Sequence, residues 1–197
     1  MCIVNKIKEC KENNPSKNKV LLIIVGKEAY SVGSGGFNIG TTNLPFYKSY
    51  GFNNVAFLTD GETLDVYSII ALLCQSHDQA RKIHNGSVEM ERFAMYLYSE
   101  RNLILVNEDE CCKDSLKYEG CNNLEALLKD FPKHKVLFVG ERKTRYKFLD
   151  ENSYMVVPHC SGQTYATKPK DCCQVYFKFS YAKESDKNVS LNDFKVI

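Results

Sequence analysis

The run Val20-Leu21-Leu22-Ile23-Ile24-Val25-Gly26 decides the fold of this chain. Its six consecutive apolar residues are all β-branched or leucine, leaving no polar position to face water on either side of an extended backbone. They predict a strand buried on both faces, the environment of a parallel sheet covered by helices. The glycine that follows closes the strand. No strictly apolar run in the chain is longer than this, and six residues cannot cross a bilayer as a helix.

Further runs of the same kind recur along the chain. Leu103 to Val106, Val136 to Val139 and Tyr154 to Val157 each predict a strand, the last closed by Pro158. Asn54 to Leu58 reads as a short strand or a loop, and Lys27 to Leu44, with Gly33, Gly35, Gly36 and Gly40, is too glycine-rich for a helix. Helical spacing fills the intervals. Thr59 or Asp60 caps a helix with Leu64, Tyr67, Ala71 and Cys74 on its apolar face, and Ser87 caps one presenting Met90, Phe93, Ala94 and Leu97. Asn122 and Glu125 form a capping pair for a helix with Leu124, Leu127, Leu128 and Phe131, stopped by Pro132. Cys172 to Ala182 fits helix and strand periodicity equally. Strands separated by helices predict an α/β fold in three layers, a central, mostly parallel four-stranded sheet flanked by helices. Residues 1–18 read as an N-terminal arm, and residues 19–197 as a single domain.

Composition agrees with that class and excludes others. The chain has 197 residues, 44% hydrophobic and 25% charged, with 5 Pro and 11 Gly, which is neither disordered nor collagenous. Mean hydropathy is -0.34. The first residues lack the apolar core of a signal peptide, so the expected location is intracellular, in nucleus or cytoplasm. The nine cysteines then read as reduced thiols. They show no C-x-x-C pattern and no paired histidines, so neither metal nor cofactor is expected. The net charge of +2 conceals polarity along the chain. Asp60 to Asp130 carries 14 acidic and 7 basic residues, whereas Lys133 to Lys170 carries 8 basic and 3 acidic. One face thus suits a polyanion and another does not.

In parallel sheets ligands bind beyond the carboxyl ends of the strands, so the residues just past each apolar run are the ones to read for function. After the first strand come Glu28, Tyr30 and Ser31; after the second, Asn107; after the fourth, His159, Cys160, Ser161, Gly162 and Gln163. A carboxylate, an aromatic ring, a carboxamide and an imidazole converge on one rim. A carboxamide pairs one donor and one acceptor with an amide-like base edge. A neutral imidazole stabilises an oxyanion, and a carboxylate orients water or stabilises a sugar cation. Taken singly, Asn107 also suits a turn or cap, Glu28 a surface carboxylate and His159 a loop histidine.

In order and spacing these segments resemble the uracil-DNA glycosylase superfamily. The family's G-Q-D-P-Y-H motif reads here G-K-E-A-Y-S, from Gly26 to Ser31. Its pocket asparagine after an apolar strand resembles Asn107, and its H-P-S-P-L motif reads here H-C-S-G-Q, from His159 to Gln163. The likeness extends from about Lys19 to Ala182. It implies a DNA glycosylase that flips uracil, or a related damaged pyrimidine, out of DNA and hydrolyses its N-glycosidic bond without metal or cofactor. By the same resemblance Glu28 and His159 are the catalytic pair, and Asn107 reads the base. Tyr30 excludes thymine. Ile39 falls where the family stacks a phenylalanine on uracil, with Phe37 supplying the ring if the loop is shifted. Ser31, Ser161, Gly162 and Gln163 contact the DNA backbone or the flipped-base gap. The basic stretch, with Lys168 and Lys170, adds phosphate contacts.

Departures from the family pattern bear on catalysis. Glu28 stands in place of aspartate, Ala29 in place of proline and Gln163 in place of the leucine that fills the flipped-base gap. They favour an alternative in which a catalytically degenerate glycosylase fold binds DNA or a protein partner. A second alternative is an unrelated α/β protein that binds a nucleotide or sugar phosphate. The expected state is a monomer, with no membrane contact.

Overall fold

The computed structural model describes residues 15–26, 39–59, 90–108, 122–139, 149–150, 153–157 and 191–194. Its centre is the sheet that the apolar runs predict. Strands β1 (Leu21–Gly26), β4 (Leu103–Asn107), β5 (His134–Val139) and β6 (Tyr154–Val157) form one four-stranded sheet in the order β4-β1-β5-β6. Every pairing in it is parallel. All six residues of β1 and all five of β4 are buried, which is why neither run carries a polar position before its last residue. A second, antiparallel sheet pairs β2 (Ile39–Thr41) with β3 (Asn54–Thr59). The described helices are α1 (Pro45–Ser49), α2 (Met90–Arg101) and α3 (Asn122–Asp130), and a 3-10 turn spans Leu191–Phe194.

Helix ends are set by backbone chemistry that can be followed residue by residue. α1 starts at Pro45 and stops in a Schellman turn. There Gly51 N–H donates to Lys48 O (3.0 Å) and Phe52 N–H to Tyr47 O (3.0 Å). Gly51 has φ +80, a left-handed conformation that a side chain would strain. α2 ends in the left-handed Asn102 (φ 53), from which the chain passes directly into β4. Buried Asn102 then stitches helix to sheet: its Nδ2 donates to Val20 O (3.1 Å), and its carbonyl accepts from Leu22 N–H (2.9 Å).

Aromatic side chains join these helices into one core. The Phe46 ring packs against Tyr50, Tyr98 and Phe131 at centroid distances of 5.3, 5.8 and 6.0 Å. Tyr47, fully buried, does more than pack. Leu22 N–H bonds the carbonyl of Asn102, so even-numbered residues of β4 turn their backbone polar groups towards β1 and odd-numbered ones turn outward. The outward Leu105 N–H donates to Tyr47 Oη at 3.1 Å, so one phenol closes part of the edge of β4 that faces away from β1. Burial drives the pKa of that phenol up, only partly countered by the Leu105 N–H, and it stays protonated.

The α/β class with its four-stranded parallel sheet is therefore present as expected, with differences in detail. Asn54–Thr59 is a strand and not a loop, paired with a three-residue strand that the glycine-rich segment conceals. α3 opens at Asn122 with Glu125 in its first turn, where Glu125 bonds Lys129 (2.9 Å). Phe131 lies one residue beyond that helix, its N–H held by Leu127 O at 3.1 Å. His134 is half-buried at the start of β5 with its Nδ1 2.8 Å from Phe131 O, which can only accept, so Nδ1 carries the proton. The helix expected after Thr59, the Ser87 cap, the Cys172 to Ala182 segment and all nine cysteines lie outside the described residues.

Candidate functional site

Because the four strands are parallel, their carboxyl ends share one edge. Gly26 of β1 and Asn107 of β4 are Cα partners there, and Val139 of β5 pairs with Val157 of β6. The first connection leaves β1 for β4 on one side, and the chain then returns past β1 to β5 and on to β6. The direction reverses between β1 and β5, and such a reversal opens the crevice where doubly wound sheets place their ligands. Glu28 follows β1 by two residues in sequence.

Asn107 is the candidate site residue that the structure describes in full. It closes β4, is only 3% exposed, and is one of three buried polar residues among those described. A carboxamide at the mouth of an apolar strand needs partners for one acceptor and two donors, so its burial has to be compensated. Beside it, Gly26 leaves a gap that two side chains occupy. A Cβ at Gly26 would lie 2.9 Å from Phe57 Cζ and 3.3 Å from Asn107 Oδ1, so ring and carboxamide border one small volume that only glycine leaves open.

Phe57 reaches that volume through an irregular backbone. β2 and β3 pair Thr41 with Asn54 but Ile39 with Thr59, so β3 bulges between these pairs. Within the bulge Phe57 has φ 64, in the left-handed region that aromatic residues rarely adopt. Such strain costs about 1–3 kcal/mol and gathers at functional sites, and bulges there re-aim a side chain. Sequence reasoning misses Phe57, because nothing in Asn54 to Thr59 marks a bulge. The one available signal is Gly26 itself, a glycine closing a buried strand where another group approaches closely.

The electrostatic clusters lie elsewhere. Tyr50 Oη donates to Asp130 Oδ2 (2.6 Å) and Lys17 Nζ donates to the same oxygen (3.1 Å). Lys17 precedes β1 and Asp130 precedes β5, so this group sits at the amino edge of the sheet, away from Asn107. The Tyr50 hydroxyl, then Lys17, hold the Asp130 carboxyl below its ordinary value. Lys135 Nζ meets Asp193 Oδ2 at 2.6 Å and ties the 3-10 turn to the start of β5. Both groups read as fastenings.

Of the other expected site residues, Ile39 has its backbone in β2 opposite Thr59. Glu28, Tyr30, Ser31, Phe37, His159, Ser161, Gly162, Gln163, Lys168 and Lys170 lie outside the described residues. Among the described residues no group of three His, Cys, Asp or Glu gathers to hold a metal ion. None of the described helices is long and apolar enough to cross a membrane. Comparison of the chain with models of protein families, with curated proteins and with solved structures finds no match, so the geometry of the carboxyl edge is what any functional reading has to start from.

Proposed function

We propose that this chain is a DNA glycosylase of the uracil-excising kind, holding a flipped pyrimidine at the carboxyl edge of its sheet and hydrolysing the N-glycosidic bond. In this reading Asn107 reads the pyrimidine edge with its carboxamide, and Tyr30 excludes a 5-methyl group. As the bond breaks, its electron pair leaves with the base nitrogen; His159 stabilises the resulting anion at a base carbonyl oxygen. Glu28 stabilises the sugar cation and orients the water whose oxygen bonds to the sugar carbon, and the proton that water loses ends on the departed base anion. Ser31, Ser161, Gly162 and Gln163 hold backbone and gap, with Lys168 and Lys170 on phosphates. DNA is the partner, and nucleus or cytoplasm the place of work.

The observation that supports this most is the register of Asn107 with Gly26. It sets a buried carboxamide beside the strand end from which Glu28 follows in sequence, one strand from the reversal point of a parallel sheet. Glu28, Ala29 and Gln163 favour a second reading, DNA binding without cleavage. Incubation with a single-stranded oligonucleotide carrying one uracil, followed by alkaline scission of abasic sites, separates the two. The glycosylase reading expects scission, lowered roughly 100- to 1,000-fold by His159→Ala. It also expects the Glu28→Asp rate to change, since the carboxylate moves by about a bond length. Binding without scission in wild type and both variants leaves the second reading. Absence of binding overturns both.

A further inference from the structure

Among the described residues β6 is the outermost strand of the parallel sheet. Val136 N–H donates to Ser153 O (2.9 Å), so the odd-numbered residues at the start of β6 turn their backbone polar groups towards β5 and Val156 turns its own outward. The Val156 side chain is 39% exposed as well. β6 reads Tyr-Met-Val-Val, with neither the charge nor the proline that commonly keeps an outer strand from pairing further. An edge of this composition is suited to being covered.

The path of the chain says what passes there. β6 ends at the carboxyl edge of the sheet with Val157, and the next described element is the 3-10 turn Leu191–Phe194. That turn lies at the opposite, amino edge. Its Asp193 Oδ2 is 2.6 Å from Nζ of Lys135, the residue before Val136, which pairs with Tyr154 at the start of β6. Phe194, 2% exposed, anchors the turn in the core. Between Val157 and Leu191 the chain therefore has to travel back along the length of the sheet. We infer that residues 175–181 make this return as a strand docked antiparallel on the outer side of β6. Their sequence is V-Y-F-K-F-S-Y. Five of these seven residues are β-branched or aromatic, which strands favour and helices do not, so composition decides where periodicity leaves both open. Alternation sets Val175, Phe177, Phe179 and Tyr181 on one face. Lys178, on the other, gives the new outer strand the charge that β6 lacks. Seven extended residues span about 24 Å, enough to run the length of a six-residue strand. A helix laid on a face of the sheet would cover side chains and still not meet the outward N–H of Val156, whereas an antiparallel edge strand does, and parallel sheets commonly carry one. Residues 158–174, with His159, Lys168 and Lys170, then start and finish at the carboxyl edge that Asn107 shares. The inference does not depend on the glycosylase reading.

The test is amide hydrogen exchange and NMR on the full chain. In wild type the Val156 amide is expected to exchange at least about 100-fold more slowly than an unstructured amide, at every protein concentration. Cross-strand Hα–Hα contacts are expected between β6 and residues 175–181. Phe177→Pro and Lys178→Pro place the proline at consecutive positions, one of which has its N–H turned towards β6. One of the two is therefore expected to release Val156 at least tenfold more than the other, while Met155, bonded to β5, keeps its protection. Should either variant fail to fold, the wild-type Hα–Hα contacts decide alone. A Val156 amide that exchanges freely in wild type overturns the inference, as does helical NMR behaviour of residues 175–181. Protection lost on dilution would assign the edge to a second copy of the chain, and protection kept in both proline variants would assign it to another segment; either result refutes the docking. Uracil excision is read separately, so neither outcome decides the other.

Discussion

Replacing Tyr47 by phenylalanine removes one oxygen atom from the interior and nothing else. That oxygen accepts the Leu105 N–H at 3.1 Å, and both residues are 0% exposed. The space left is about one oxygen in size, short of the roughly 10–15 Å³ of probe volume a water needs, so the outward amide of β4 is left without an acceptor. An unsatisfied buried donor costs about 1–3 kcal/mol. Loss of the buried phenol oxygen offsets little of this, because its own desolvation is already compensated by the same bond. With a urea m-value of about 2 kcal/mol/M, the unfolding midpoint should fall by roughly 0.5–1.5 M at unchanged m. Amide hydrogen exchange gives a local readout beside the global one. Exchange at Leu105 should accelerate beyond the global loss, while Ile104, whose amide faces β1, should follow the global loss alone. A midpoint shift equivalent to less than about 0.5 kcal/mol, with Leu105 exchange unchanged, would mean that the hydroxyl does not close this strand edge, and the account of β4 would have to be abandoned.

The remaining expectations concern charge. Tyr50 and Lys17 depress the Asp130 pKa, so this carboxylate stabilises the fold above its unfolded-state value, about 3.9, and that contribution is lost as pH falls through the lower folded-state value. Asp130→Asn should therefore lower stability at pH 7 and flatten the acid limb of the stability curve; an acid limb identical to wild type refutes the assignment. Charge reversal at both Lys168 and Lys170 should weaken DNA binding and reduce its salt slope by about one for each phosphate no longer neutralised, so an unchanged slope removes these lysines from the interface.

How much of this is legible in the sequence depends on the physics of each element. Runs such as Leu21 to Val25 and Leu103 to Val106 announce themselves because a strand covered on both faces excludes polar residues altogether. Asn107 is equally legible, as the first polar residue after such a run. α1 is harder to see: it is five residues long, its start is a proline and its stop is a Schellman turn at Gly51, all within a glycine-rich and aromatic region without periodicity. The pairing of Ile39 with Thr59 depends on a bulge, and a bulge is a relation between two strands with no trace in either alone. For the same reason Phe57 reads as an ordinary strand aromatic. Its left-handed backbone lies in a strand that meets β1 and β4 only in the folded chain.

The strand order also constrains how the proposed catalytic groups have to cooperate. Asn107 ends β4, Glu28 follows the adjacent β1, and His159 follows β6, three strands from β4. At about 4.8 Å between strands, the carboxyl ends of β4 and β6 are roughly 14 Å apart. Val157 and His159 are two residues apart, which spans at most about 7 Å of extended chain. For His159 to stabilise the same base that Asn107 reads, the segment after β6 has to run back over β5 towards β1, and the base has to lie over the reversal point rather than over β4. In that arrangement the proposed roles of Asn107, Glu28 and His159 follow the strands β4, β1 and β6 in turn. A segment after Val157 that instead continued away from β5 would separate the imidazole from the carboxamide by more than one ring, and the division of labour between Asn107 and His159 could not hold.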